Sequence, residues 1–270
     1  MMGVGHALLG TTTWAAGASL ILPYAGIEPT PAVIVLGAFP IAGAALRPDI
    51  DHPQASIANS GGFITRGIAH VANALSGGHR EGTHRLLFWF ACALFDVAVV
   101  LMAGSIGALV LFFVYTAFGA QALAKTQLYA RMNRKWRSHT GSFAKLWCWA
   151  VAAAVTAAGA YVFPLGDAAN WWWLPVALTV GHATHLIGDA LTTQGWEYVN
   201  GHTLRFPILG DAGSSRETIL TAVLGVLTVV FLAASVTGWD VIGYTRDTLW
   251  PHLSGIFGGN DTGGGGWRLP

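Results

Sequence analysis

The chain has 270 residues, 53% of them hydrophobic and only 10% charged, with a mean hydropathy of +0.52. Soluble domains carry about 25% charged residues, so this composition argues against a water-soluble globule and for a membrane protein. A formal net charge of +1 gives no footing for a nucleic-acid partner, and the two cysteines, Cys92 and Cys148, lie inside apolar runs and form neither a disulfide framework nor a CxxC metal site.

Crossing a bilayer takes about 20 mostly apolar residues, and seven such runs follow one another near 7–26, 30–46, 86–103, 106–124, 145–163, 171–190 and 218–238. The start, "MMGVGHALLG", lacks the basic n-region of a cleaved signal peptide, so the first run is expected to be a retained span. Thr11, Thr12 and Thr13 weaken it. Pro31 and Pro40 interrupt the second, which suits a tilted or re-entrant helix. A long loop, 47–85, follows, with "NSGGF" and "SGGHR" as turn signals. "WWW" at 171–173 reads as an interfacial aromatic anchor opening the sixth span. No repeat of 20–50 residues is present. The expected fold class is an all-α, polytopic helical bundle of about seven spans. Residues 1–238 would form one membrane-embedded domain, and 239–270 a Gly-rich, partly disordered tail.

Lys and Arg set the orientation. The loop 125–145 carries six basic residues and no acid, which makes it cytoplasmic. Alternation then puts the N-terminus, the 47–85 loop and the 190–217 loop on the same side. Twelve of the 14 basic residues fall inside, with only Arg246 and Arg268 outside. The expected protein is a multi-pass component of the cytoplasmic (inner) membrane, N-terminus inside and C-terminus outside.

That topology gathers the chain's unusual polar residues. His6 opens span one; Asp49, Asp51 and His52 close span two in "RPDIDHP"; His79 and His84 open span three; His182, His185 and Asp189 close span six. All four clusters lie at the cytoplasmic end. His182, His185 and Asp189 follow as i, i+3 and i+7 and share one helix face. Ionisable groups in a membrane span are costly and by default functional. Imidazole and carboxylate together suit zinc, with manganese or iron also accommodated. Five histidines and three acids exceed one tetrahedral shell, so two ions, or one ion with a rich outer shell, fit the count. The expected metal ligands are His6, Asp49, Asp51, His52, His79, His84, His185 and Asp189. Asp96, alone in mid-span, is left to pair with Arg85 or another polar neighbour, or to bear on a transport path.

At these residues the chain resembles the LexA-regulated, membrane-bound metal-dependent hydrolases of the YdjM type. The motifs are Gly5-His6, "PDIDH" at 48–52, "HREGTH" at 79–84 and "HLIGDALTTQG" at 185–195. The likeness runs from His6 to about Pro207. Arg85 departs from the small serine usual after Thr-His, and the seventh span and tail lie outside the shared region. The family's His and Asp pattern is in turn similar to that of zinc-dependent phospholipase C and P1-type nucleases. The resemblance implies hydrolysis of a phosphoester, such as a lipid or lipid-linked headgroup, by a metal-activated water. In that reading Asp49 or Asp51 accepts the proton or bridges two ions, Arg80 clamps the phosphate, and membrane lipids are the partners. Two other classes stand beside it: a metal-ion transporter or sensor using the same cluster, and a stress-response scaffold with a vestigial site.

Overall fold

The computed structural model of the chain describes residues 1–23, 26–55, 57–77, 82–124 and 141–244, which are mostly helical. In order they form α1 (Gly3–Leu20), α2 (Pro31–Ala44), α3 (Phe63–Ser76), α4 (Leu86–Leu123), α5 (Gly141–Val162) and α6 (Trp173–Ala190). An antiparallel hairpin of β1 (Trp196–Val199) and β2 (His202–Leu204) follows, then α7 (Ser215–Thr237) and the short α8 (Val241–Tyr244). Among the described residues, three stretches are long and apolar enough to cross a membrane: Pro31–Asp51, Leu86–Ala122 and Ser215–Thr237; Leu146–Val162 is a shorter apolar helix.

α2 is the hub of the bundle. Thr30 caps its start by accepting from the Val33 amide at 3.3 Å, and Pro31 follows at a position where its missing N–H costs nothing. The helix packs on α1, α4 and α6. The approach to α4 is so close that a Cβ on Gly43 would lie 1.8 Å from the Tyr115 carbonyl oxygen. Small residues at a crossing let backbones meet, the usual device where lipid removes the hydrophobic drive between helices.

α4 is two helices, because its direction reverses at Gly104, whose φ of 59° and ψ of −146° are non-helical. A Cβ on Gly107 would lie 2.6 Å from the Val99 carbonyl oxygen, whereas eight residues of continuous helix span about 12 Å. Arg47 likewise reaches both Asp96, at 2.7 Å, and the Tyr115 ring, at 4.5 Å. In a straight helix those two residues would stand roughly 28 Å apart. Residues 86–103 and 105–123 therefore run antiparallel, matching the two separate apolar runs of the sequence. The start of α1, the end of α2, both ends of α4, the end of α6 and the start of α7 consequently share one end of the bundle. Contacts tie them there: Gln121 Nε2 donates to the Ser60 carbonyl at 3.1 Å, and the Met2 amide donates to Glu217 Oε1 at 2.5 Å.

Several expectations change. The class is not purely helical, since the 190–217 loop contains the β-hairpin. The 47–85 loop holds a 14-residue helix, α3. Trp171 and Trp173 are fully buried against Phe112 and Phe163, and only Trp172 faces outward, so the triplet builds core more than it anchors an interface. Arg47, counted above among cytoplasmic loop charges, is buried and paired with Asp96; Arg85 instead lies 3.8 Å from Glu197. Residues 125–140 of the basic loop, and the tail from 245 onward, lie outside the described residues.

Candidate metal centre

The stretch after α2 sets the first carboxylate. Arg47–Asp51 forms a 3-10 turn with Pro48 near its start. At three residues per turn, Asp49 and Asp51 point to different sides. Asp49 turns toward α6 and the segment before α4, where its Oδ1 lies 3.7 Å from both His84 Nε2 and His185 Nε2. Asp51 turns the other way, and its Oδ2 accepts the Thr83 hydroxyl at 2.5 Å.

α6 supplies two more groups one turn apart. His185 and Asp189 are related as i and i+4 and so lie on one face. Asp189 Oδ2 is 3.6 Å from His185 Nε2 and 3.6 Å from His84 Nε2, and the two imidazole nitrogens are 3.2 Å apart. Five of the six separations among these four donor atoms thus fall between 3.2 and 3.7 Å. A tetrahedral ion with ligands at about 2.0–2.1 Å holds its donors about 3.3–3.4 Å apart. Asp49 Oδ1, His84 Nε2 and His185 Nε2, 3.2–3.7 Å apart, fit three ligand positions of such an ion of the zinc type, and Asp189 Oδ2 stands beside the two imidazoles.

The outer contacts prepare both rings. His185 Nδ1 donates to the Ala45 carbonyl at 2.7 Å, which leaves Nε2 as the lone-pair atom. The Thr83 hydroxyl, spent as a donor on Asp51, is an acceptor for His84 Nδ1 at 3.2 Å, with the same consequence for His84. This is the polar support that metal-ligating histidines need. The Trp196 indole of β1 donates to the His84 carbonyl at 2.6 Å and holds the segment from outside.

His6 reaches the cluster from α1. Its ring stacks on His185 with centroids 3.7 Å apart and planes 10° from parallel, and its Nε2 is 3.4 Å from Asp189 Oδ1. Asp189 therefore turns one oxygen toward His84 and His185 and the other toward His6. His6, His185 and Asp189 also form a compact group able to hold an ion. His185 Nε2 offers a single lone pair, however, so it can serve only one of two ions. The α1–α6 approach depends on Gly188, where a Cβ would stand 3.0 Å from His6 Nδ1.

The structure thus brings together His6, Asp49, His84, His185 and Asp189, all at helix ends. Asp51 sits one side chain back, behind Thr83. Among the described residues His52 joins neither metal-competent group, and its Nδ1 accepts from the Gln54 amide at 3.1 Å. His79 and Arg80 lie outside the described residues. His182 is fully buried one turn behind His185, edge-on to Phe88, and joins neither metal-competent group. Sequence reading missed Thr83 and Trp196, because a neutral side chain two contacts from an ion carries no signal of its own.

No curated protein and no solved structure matches the chain significantly. A family model does match, over residues 1–124, which include His6, Asp49 and His84 but not His185 or Asp189. The matching model is that of the YdjM inner membrane protein family, to which residues 1–124 of the chain are similar.

Proposed function

We propose that the protein is a membrane-embedded, metal-dependent hydrolase of phosphoesters. The observation that carries this reading is the spacing of His84 Nε2, His185 Nε2 and Asp49 Oδ1, contributed by three separate helix ends at distances suited to three ligands of a tetrahedral ion, which leaves the fourth position for water. A divalent cation held there would supply Lewis acidity and a hydroxide nucleophile near neutral pH. Zinc suits the ligand types best, and manganese and iron share them.

The residues of the chain do the rest. Ala45 and Thr83 hold the two imidazoles with Nε2 inward. Asp49 is the carboxylate of the set with an open side, 20% exposed against 1% for Asp189, and its second oxygen would take the proton of the attacking water. Asp51 acts through Thr83 as a positioning residue. Arg80, between His79 and His84 in the sequence, is planar and permanently charged and clamps the phosphate. In this reading the bundle crosses the inner membrane seven times with its N-terminus cytoplasmic, and the substrate reaches the site from the lipid.

The test is elemental analysis of detergent-purified protein, followed by a panel of phospholipids and phosphodiesters with and without chelator. His185→Ala and Asp189→Ala should abolish both metal content and chelator-sensitive hydrolysis. Purified wild-type protein with no metal above background would refute the mechanism.

One observation favours a second reading, a metal-ion transporter or sensor. Arg47 Nε and NH1, Asp96 Oδ1 and both ring nitrogens of His182 are buried with no hydrogen-bond partner among the described residues, and they extend polar groups from the site into the bundle. Metal uptake into proteoliposomes that phosphoester substrates leave unchanged would select it.

A further inference from the structure

α3 is the element that the catalytic reading leaves unused. Its inner face is pinned to the metal end: Thr65 Oγ1 donates to the Ala58 carbonyl at 2.9 Å, Ala69 is fully buried, and Asn73 Nδ2 donates to the Asp51 carbonyl at 2.8 Å. Its other face carries Phe63, Ile64, Ile68, Val71 and Leu75 at helical spacing, each more than half exposed. Between this face and the start of α4 runs a groove of about 950 Å³. Leu87, Phe88 and Ala91 form the opposite wall, and Thr83 and Arg85 contribute its polar groups beside the centre.

We infer that this groove holds a fatty-acyl chain of a membrane phospholipid whose phosphate lies toward Arg85 and the metal centre. Three observations select that occupant. The lining is apolar along α3 and polar at its Thr83 and Arg85 end, where the Arg85 guanidinium lies 3.8 Å from Glu197, the polarity order of an amphiphile. Thr83 touches both the groove and the site, through its contacts with Asp51 and His84. The α4 wall continues into Leu94, Leu101 and Met102, 70%, 78% and 88% exposed, so the groove is continuous with a surface built to face lipid.

This inference rests on the hydrolase reading for the role of the headgroup, but occupancy is measured without turnover. Chelator-treated protein in phospholipid nanodiscs, containing a lipid with a photoactivatable acyl chain, is irradiated and the labelled peptides are mapped. Labelling should concentrate on 63–91. Val71→Trp and Ile68→Trp, which fill the groove from exposed positions, should each cut it at least fivefold. Val226→Trp, on the exposed face of α7, should change nothing. Equal labelling of all lipid-facing helices, or labelling untouched by both groove variants, overturns the proposal. So does a native-gel dimer that Val71→Trp dissociates, which would make the groove an interface between copies. Labelling without any hydrolytic activity overturns the hydrolase reading alone, and hydrolysis with unlabelled α3 overturns the groove alone.

Discussion

Replacing Thr83 by Val tests whether the centre is built as a ligand set with prepared tautomers or is merely a polar cluster. The change is nearly isosteric, and Thr83 is 3% exposed, so solvent cannot readily replace the lost hydroxyl. It removes the donor to Asp51 Oδ2 at 2.5 Å and the acceptor for His84 Nδ1 at 3.2 Å. The proton on His84 is then no longer directed to Nδ1, and the ring is freer to turn away from Asp49 and Asp189. Losing such a support costs metal affinity about 10–100-fold, equivalent to about 1.4–2.8 kcal/mol. The assay is a competition titration of zinc against a chromophoric chelator, using detergent-purified wild type, Thr83→Val and Thr83→Ser. Ser restores the hydroxyl and should recover most of the affinity, which separates the hydrogen bond from the lost volume. Equal affinity for Val and wild type would refute the assignment of His84 as a ligand oriented through Thr83.

Asp49→Asn should retain much of the fold but lose hydrolysis more severely than metal, because the amide still offers an oxygen but no longer takes a proton; paired activity and metal assays check this. Asp96→Ala leaves the Arg47 guanidinium buried without its 2.7 Å partner and should destabilise by about 3–5 kcal/mol. The double change Arg47→Met with Asp96→Leu should recover most of that loss in thermal unfolding in detergent. Gly43→Ala should lower the melting temperature markedly, since its methyl meets the Tyr115 backbone and forced overpacking costs about 1–3 kcal/mol or more. An unchanged melting temperature would contradict the α2–α4 crossing.

Much of the candidate site was legible because polar groups are expensive next to oil. His6, Asp49, His84, His185 and Asp189 stand out at the ends of apolar runs, and alternation of those runs brings them to one end without side-chain detail. The i, i+4 relation of His185 and Asp189 follows from helical periodicity alone. α3 was legible in principle, since Phe63, Ile64, Ile68, Val71 and Leu75 repeat with helical spacing, but the Gly-rich turns around them read as loop. What sequence could not divide was the work of neighbours in "RPDIDHP". Whether that stretch is loop, α-helix or 3-10 turn changes the direction of each side chain by a large angle. The 3-10 turn is what sends Asp49 to the imidazoles and Asp51 to Thr83. The Arg47–Asp96 pair was hidden for the same reason, because a basic residue at the end of an apolar run looks like a topological signal until its neighbours are in place. Composition and periodicity determined that this chain is largely helical, with runs apolar enough to cross a membrane and a set of His and Asp residues near their ends. Tertiary packing decided which atoms meet there, because donor distances of 3–4 Å depend on how helices cross, and no single helix encodes its crossing.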